Sequence, residues 1–310
     1  MSTRVDPAPL AVIEGAAPTR PMVVQRMTRN RSIVIGAILL AIIVAVAVLA
    51  PVLGTTDPAR VEPVLRNKRP GAMASVRNDD GSQTERTLWM GTDSLGRDVY
   101  SRVVYGARVS LILGVTVALI SAAMGLAIGV VAGYVRWLDS IVMRVMDGLM
   151  SIPAILLAIG LVSLSRAGLR TVIIAIVIPE VPRVVRLVRS VVLSIREEPY
   201  VEAAVALGAR TPALLIRHVI PNTVAPLIVQ ATFICASAIL VEATLSFLGV
   251  GIPPATPTWG NIMAEGRTLF RIFPHNILFP GVLLAVTVLA VNMLGDGLRD
   301  MLDPRTRKQI

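Results

Sequence analysis

The chain alternates long apolar stretches with shorter polar ones, and the apolar stretches have the length of membrane spans. A helix needs about 20 predominantly apolar residues to cross the hydrocarbon of a bilayer. The pattern predicts six such helices, at residues 32–53, 109–134, 148–164, 171–194, 224–241 and 277–294. The fourth is the weakest, because Glu180, two prolines and three arginines interrupt it, but residues 171–179 are too short to span alone and too apolar for a loop. We therefore predict an all-α, polytopic membrane protein with both termini on one side.

The same pattern divides the rest of the chain. Residues 1–31 hold four prolines and little periodicity, and they are predicted to form a cytoplasmic tail. Residues 54–108 form a long external loop, whose polar middle, residues 60–86, is expected to be mobile. At the end of that loop, Asp93 or Ser94 is predicted to cap a short helix that leads into the second span. Residues 109–298 then form the membrane core, with a cytoplasmic loop at 196–222, and residues 299–310 form a second cytoplasmic tail.

Residues 196–222 are polar at both ends and lie between two apolar segments, so they are predicted to lie on one membrane face. Glu198 can cap a helix, Pro199 suits its first turn, and Gly208 suits a left-handed stop. A second short helix is predicted to start at residues 211–212 and to end at Pro221. The segment is therefore predicted to be two short helices with a bend.

The first of these short helices has an apolar face without a core of its own. Tyr200, Ala203, Ala204 and Leu207 follow the i, i+3, i+4, i+7 spacing of one helix face, and Glu202 points the other way. A helix of this kind needs a surface to pack against. The pattern indicates an adaptor that docks on another protein.

Composition agrees with a membrane protein and excludes several other classes. The chain is 54% hydrophobic and 16% charged, and its mean hydropathy is +0.72. Its net charge of +10 is attributed to arginines near anionic headgroups rather than to nucleic-acid binding, because aromatic residues make up only 4% of the chain. The Lys and Arg bias between loops is modest, and it places both termini and residues 196–222 in the cytoplasm.

The sequence lacks the residues needed for ATP binding, disulfide formation and zinc-dependent hydrolysis. The two lysines, Lys68 and Lys308, do not follow a glycine, so no phosphate-binding loop for ATP is present. Cys235 is the only cysteine, which excludes an intrachain disulfide and a cysteine-rich metal site. His218 and His275 lie far apart and form no zinc-hydrolase motif. We expect neither an enzyme nor a cofactor in this chain.

Two features inside the predicted spans point to packing and to transport. Gly125, Gly129 and Gly133 repeat every four residues in the second span, which favours close approach of another helix. Glu180 falls close to mid-membrane, where a carboxylate is costly unless it is paired or faces water. It either pairs locally with Arg183, three residues on, or lines a translocation path and meets a positively charged substrate group.

The fourth span also carries Arg183, Arg186 and Arg189 at every third residue, as a voltage sensor would. The prolines before them and the charged run after them instead indicate a helix that leaves the membrane. The arginines are then expected to reach the headgroups.

Four motifs resemble one family of transport proteins. Residues 202–221 read EAA, three further residues, Gly and later Ile-Pro, which resembles the EAA loop of bacterial ABC importer permeases. Residues 88–108, LWMGTDSLGRDVYSRVVYGAR, resemble the LGTDxxGRDxxSRxxYGAR signature of dipeptide/oligopeptide/nickel-type permeases. Residues 242–267 resemble that family's ExxLSFLGxGxxPPxPxWGxxxxxGR stretch, in which glycine and proline exclude a simple helix, and residues 294–305 resemble its LGDxLRDxLDPR ending. Together they resemble the C-type permease subunit of dipeptide/oligopeptide ABC importers.

The resemblance implies a type I ABC importer permease fold in the bacterial inner membrane. It implies a paralogous B-type permease, two cytoplasmic ATPase domains that bind ATP and Mg²⁺, and an external substrate-binding protein as partners. Coupling to the ATPase would then fall on Tyr200, Glu202, Ala203, Ala204, Leu207 and Gly208. The substrate stays open among peptides, glutathione-like molecules, nickel chelates and haem. The alternative is a self-contained secondary transporter or channel, which would need an internal repeat or an intramembrane ion site.

Overall fold

The computed structural model of the protein describes residues 30–77 and 83–302, and the predicted tails lie almost entirely outside this part. The helices and strands, in chain order, are α1 (Arg31–Val48), β1 (Ala72–Arg77), β2 (Gln83–Leu88), α2 (Val99–Tyr134), α3 (Arg136–Met150), α4 (Ala154–Ser163), α5 (Leu169–Arg196), α6 (Pro199–Ala206), α7 (Thr211–Leu214), α8 (Ile220–Phe247), α9 (Trp259–Gly266) and α10 (His275–Leu302). A π-helical turn at Leu215–Val219 joins α7 to α8.

The described helices reproduce the long apolar spans, with one clear difference from the prediction. By length and composition, α1, α2, the continuous stretch Thr211–Phe247 and α10 can each cross a membrane, and α3 with α4 could form one more span, bent by 83°. The span predicted at 148–164 is divided in the structure, because its start belongs to α3 and its remainder forms α4. Pro153 precedes α4 and cannot continue the ladder of α3, and the 10 residues of α4 cover only about 15 Å.

Helix α5 is long enough to span, at 28 residues or about 42 Å, although its charges set it apart from the apolar helices. It is continuous through Pro179 and Pro182, so the interruptions in the sequence do not break it. Neighbouring helices support proline-containing helices in membranes by satisfying the freed backbone groups.

The core is built around a close contact between α2 and α5. A Cβ added to Gly129 would lie 2.7 Å from Cβ of Val188, and one added to Gly133 would lie 2.8 Å from Cβ of Val192. Gly125 faces Val184 in the same way, so the three small residues of α2 receive the three valines of α5. The residue numbers of the glycines and of the valines they face increase in the same direction, so α2 and α5 run parallel. The chain returns between them through the bent pair α3–α4.

The two ends of the described chain lie together. Gly297, near the end of α10, packs on Ile33, near the start of α1. Leu302 lines the same groove as Leu187 of α5 and Pro226 of α8. The start of α1 and the end of α10 therefore lie at the end of the bundle that carries α6 and α7.

The segment between α1 and α2 has more regular structure than the sequence indicated. Strands β1 and β2 form an antiparallel hairpin with Ala72 opposite Leu88, which the sequence analysis did not predict. Helix α2 begins at Val99 rather than near residue 109, and its N-cap is Asp98, whose carboxylate accepts a hydrogen bond from the backbone N–H of Ser101 at 3.0 Å. The predicted capping by Asp93 or Ser94 is wrong, because Asp93 closes the turn before the helix.

Candidate functional site

The polar segment that follows α5 is fixed at the end of the bundle by Arg196. Its Nη1 donates to the backbone oxygens of Gly133 at 3.0 Å and Tyr134 at 3.2 Å. Its guanidinium also lies over the Tyr134 ring, 5.2 Å from the centroid. The last carbonyls of a helix lack intrahelical partners, so a cation there is favourable. The end of α5 is thereby tied to the end of α2 where the polar segment starts.

Helix α6 begins and ends near the positions that its sequence predicts. Glu198 is the N-cap residue, although its side chain makes no capping hydrogen bond, and Pro199 occupies the first turn. At the other end Gly208 has φ +82°, a left-handed conformation. The N–H of Gly208 donates to Val205 O at 2.9 Å and that of Ala209 donates to Ala204 O at 3.0 Å, which satisfies carbonyls at the helix end.

The faces of α6 differ in part from the predicted ones. Val201 is only 2% exposed and belongs to the main core, a residue that the sequence analysis missed. Ala204 packs against the same core, whereas Ala203 is exposed and Leu207 is 88% exposed. The predicted four-residue face is therefore divided between the protein's own core and an outward surface.

The outward surface of α6 also includes Tyr200 and Glu202. The Tyr200 side chain is partly held, since its ring centroid lies 5.9 Å from that of His218. Glu202 is exposed and lines a cleft of about 430 Å³ between α6 and the ends of α2 and α5. The segment thus presents an apolar and acidic surface while Val201 keeps it in place.

The second short helix does not end at Pro221, as predicted, but continues into α8. The π turn supplies an N–H to O=C bond from Ile220 to Leu215, five residues back. This wider turn precedes Pro221, which lies in the first turn of α8, where a missing N–H is tolerated. The buried Leu214 anchors the start of this helix in the core.

An ion pair between the buried Glu180 and the partly exposed Arg183 lies in the middle of α5. Nη1 of Arg183 is 3.0 Å from Oε1 and 3.2 Å from Oε2 of Glu180. The hydroxyl of Ser237, on α8, donates to the same Oε1 at 3.3 Å. The pairing with Arg183 that the sequence offered as one interpretation is present, and the carboxylate also joins α5 to α8.

The next two arginines of α5 bind carboxylates of α3. Nη2 of Arg186 lies 2.7 Å from Oδ1 of Asp147, and Nη2 of Arg189 lies 2.6 Å from Oδ2 of Asp139. The sequence analysis did not predict these pairs with α3, beside which α5 continues as a helix. Their charges fix the first half of the bent pair.

On the opposite end of the bundle, four charged side chains form a compact cluster that the motif alone did not reveal. Arg97 bonds Asp93 through Nε at 2.7 Å and Glu265 of α9 through Nη2. Arg102 of α2, which is fully buried, lies 3.2 Å from Glu265. Burial lowers the pKa of Arg97, but the bond to Glu265 and the charge of Asp93 outweigh it, so the pKa lies above its ordinary value. The cluster ties the turn before α2 to α9.

Helix α9 is docked on α2 by Trp259. The Trp259 side chain is fully buried, and its Nε1 donates to the backbone oxygen of Val103 at 3.1 Å. Residues 248–258 are not helical, as the glycines and prolines there predict. This stretch therefore folds back over the end of α2.

Comparison with known proteins decides the family. Residues 125–308, more than half of the chain, match the model of the binding-protein-dependent transport system inner membrane component. The chain belongs to this family. Residues 22–70 also match the N-terminal transmembrane domain of oligopeptide transport permease C.

Relatives agree over most of the chain. A probable peptide ABC transporter permease protein, y4tQ, of Sinorhizobium fredii is 51% identical over 287 residues, 93% of this chain and 94% of its own. The dipeptide transport system permease protein DppC of Alkalihalophilus pseudofirmus is 39% identical over 91% of this chain and 89% of its own. The glutathione transport system permease protein GsiD of Escherichia coli O6:K15:H31 is 44% identical over 71% of this chain and 73% of its own.

Solved structures agree on the fold. A chain of the inward-facing MetNI methionine ABC transporter superposes with a TM-score of 0.53 and 21% identity, over 65% of this chain and 97% of that chain. At this identity the likeness concerns the fold alone. The protein is a multi-pass membrane permease with the fold of a type I ABC importer permease.

Proposed function

We propose that this permease is one of two membrane subunits of an ATP-driven importer of dipeptides or oligopeptides. Its partners are a paralogous B-type permease, two cytoplasmic ATPase domains and an external substrate-binding protein. The names of its relatives include a peptide, a dipeptide and a glutathione permease, which supports peptides and similar amides as the substrate class. The protein resides in the bacterial inner membrane with both termini in the cytoplasm.

The observation that carries this proposal is the outward face of α6. Val201 and Leu214 hold the segment in the core, while Ala203 and Leu207 remain exposed at the end of the bundle. An exposed apolar side chain on a short, anchored helix fits a surface that another protein covers. The ATPase is the partner that such a loop would engage, so movement of the ATPase reaches the membrane helices through α6.

ATP and Mg²⁺ bind to the partner subunits in this scheme. The chain lacks a Gly-x-x-x-x-Gly-Lys loop, and its two lysines stand outside any glycine-rich turn. The permease then carries out no covalent step. Its function is to convert closure of the ATPase domains into alternating access of the pathway between the two membrane subunits.

A substitution on the outward face tests this role. In Ala203→Trp, the bulky ring keeps α6 away from the ATPase, because Ala203 is exposed and its change does not disturb the core. We expect substrate-stimulated ATP hydrolysis in reconstituted vesicles to fall at least about tenfold, a loss of about 1.4 kcal/mol in coupling. Subunit content on a gel shows whether the ATPase is lost or merely unresponsive.

Ala203→Ser is the matched control, since it keeps a small side chain at the same position and should retain full stimulation. Wild-type stimulation in Ala203→Trp would contradict the assignment of α6. A lone purified chain that transports peptide without co-purifying ATPase would instead favour the self-contained transporter.

A further inference from the structure

Arg183 lies in the middle of a membrane helix, yet its side chain is 47% exposed. Helix α5 runs from Leu169 to Arg196, so about 20 Å of helix separates Arg183 from either end. Charged side chains at such depth are costly in hydrocarbon and face a bundle interior or a water-filled cavity. The exposed part of Arg183 is therefore directed toward a pathway or a partner rather than toward lipid.

The side chain of Arg183 does not reach for a membrane surface. It turns back one helical turn to Glu180, whereas a snorkelling arginine extends toward the nearer headgroups. Glu180 is 3% exposed, and both of its oxygens lie within hydrogen-bond distance of Nη1 of Arg183. The Nε and Nη2 groups of Arg183 have no hydrogen-bond partner among the described residues.

A groove of about 430 Å³ begins one helical turn from Arg183, where Leu187 of α5 forms part of its wall. Ser237 of α8 lies next to Glu180, and Gln230, two turns away on the same face of α8, lines the groove together with Leu187 of α5. The groove wall also includes Phe233 and, from α10, the basic Arg299; its lining contains no acidic residue within the described part of the chain. The polar groups of the groove are therefore a cation and an amide, between α5, α8 and α10.

We propose that Arg183 binds an anionic group of the transported solute, the terminal carboxylate of a peptide, as it passes this groove. Guanidinium groups bind carboxylates strongly through two parallel N–H donors. Nε and Nη2 of Arg183 supply such donors, while Nη1 is held by Glu180. The inference rests on the proposed import function and specifies its substrate class.

The sequence analysis considered Glu180 as a path residue that would meet a positively charged substrate group. The proposal instead has a positive side chain, Arg183, meet a negatively charged one. The carboxylate is buried against Arg183 and Ser237, so it positions the guanidinium rather than meeting a cationic substrate group. Glu180 is then a positioning residue, and Arg183 is the group that contacts the solute.

The test uses the assembled complex in lipid nanodiscs, where both faces are open to solvent. Cys235 is replaced by Ala, and Leu187→Cys places a thiol on the groove one turn from Arg183. Its reaction rates are measured with an anionic sulfonate and a cationic trimethylammonium methanethiosulfonate reagent. We expect labelling, and an anionic-to-cationic rate ratio that falls on the order of tenfold in Arg183→Gln and stays unchanged in Arg183→Lys.

Protection identifies the ligand. Dialanine should slow labelling of Leu187→Cys, whereas dialanine amide, which lacks the carboxylate, should not. In Glu180→Gln the reagent ratio stays anion-favouring while dialanine protection weakens, a combination that a purely structural role for Glu180 does not produce. Leu119→Cys, on an exposed apolar face of α2, should stay unlabelled.

Two outcomes overturn the inference: no labelling of Leu187→Cys, or an unchanged rate ratio in Arg183→Gln. Should Arg183→Gln fail to assemble, high salt applied to the Arg183 protein must lower the ratio, because it screens the guanidinium; a salt-independent ratio overturns the inference. Dialanine-stimulated ATP hydrolysis is measured on the same complex. Its absence contradicts the proposed function, whereas its presence with failed labelling contradicts only the role of Arg183.

Discussion

Two glycines at opposite ends of the protein have nearly the same backbone geometry. Gly208 after α6 has φ +82° and Gly249 after α8 has φ +83°. A Cβ added to either would meet no atom within 4 Å. A side chain at either position therefore destabilises the protein through backbone strain alone. Comparing the two positions separates the effect of this strain from the effect of being next to α6.

We expect Gly208→Val and Gly249→Val to lower stability by a similar amount, about 1–3 kcal/mol each, because a β-branched residue is strained at positive φ. Only Gly208→Val should uncouple ATP hydrolysis from substrate, since it changes the direction in which the chain leaves α6. The measurements are thermal unfolding and substrate-stimulated hydrolysis in vesicles. Equal loss of stimulation in both variants would mean that strain, not the position of α6, causes the effect.

The contacts of single residues could be predicted where the sequence pattern itself produces the contact. Three glycines four apart place a smooth strip on one helix face, and the structure places Val184, Val188 and Val192 along that strip. Val201 was not predictable in this way. It lies one position away from the predicted face of α6, and a short helix has too few turns for its apolar pattern to select one direction.

At the level of elements, the charged cluster of Asp93, Arg97, Arg102 and Glu265 joins the turn before α2 to α9 through ion pairs. Arg97 and Asp93 are each only 4% exposed, and Glu265 brings the opposite partner from α9. A buried carboxylate that loses its partner keeps its desolvation cost without compensation. The cluster therefore controls whether α9 stays on the end of α2.

We expect Arg97→Met to destabilise the contact between the turn at 91–98 and α9 by about 3 kcal/mol, because Asp93 loses its closest cation and Glu265 keeps only Arg102. Hydrogen exchange should increase in residues 254–266 and leave α6 unchanged. Arg60→Met is the control, since the Arg60–Glu62 pair is more exposed and such pairs contribute at most about 1 kcal/mol. Unchanged exchange in α9 would show that the Arg97 pairs do not hold it.

Helices and strands could be predicted where hydropathy determines their position. They could not be predicted where local backbone geometry determines where they begin or end. The long apolar helices follow directly from their composition, because lipid requires a continuous helix. The break between α3 and α4 comes from Pro153, the early start of α2 from the Asp98 cap, and the β-hairpin from the pairing of two neighbouring strands, none of which hydropathy registers. The π turn is a similar case, since Pro221 alone indicates an end and only the wider turn before it lets the helix continue.

At the level of the whole molecule, the proposed import function assigns the energy source to another chain. We expect the purified permease to bind no ATP at micromolar concentration, because no phosphate loop is present in its sequence. Isothermal titration of the lone chain checks this, and addition of the ATPase subunits should restore binding. Micromolar ATP binding by the permease alone would contradict the assignment of ATP binding to partner subunits.

The family was predictable from four separate motifs, whereas the number of straight spans was not. The motifs specify local turns and caps, such as the Asp98 cap of α2. The direction of each pass had to come from the structure: α2 runs parallel to α5, and the start of α1 meets the end of α10 at Ile33 and Gly297.

The continuity from Thr211 to Phe247 has a mechanical meaning. These 37 residues form an unbroken rod of about 55 Å, longer than the bilayer is thick. One end of the rod is attached to the segment after Gly208, and the other carries Glu242 and Ser246 beside the loop that leads to Trp259. The rod contacts α2 and α5 through residues 235–239. We expect it to act as a lever about these contacts, so that a sideways push at one mouth of the protein tilts the opposite mouth while every helix stays folded.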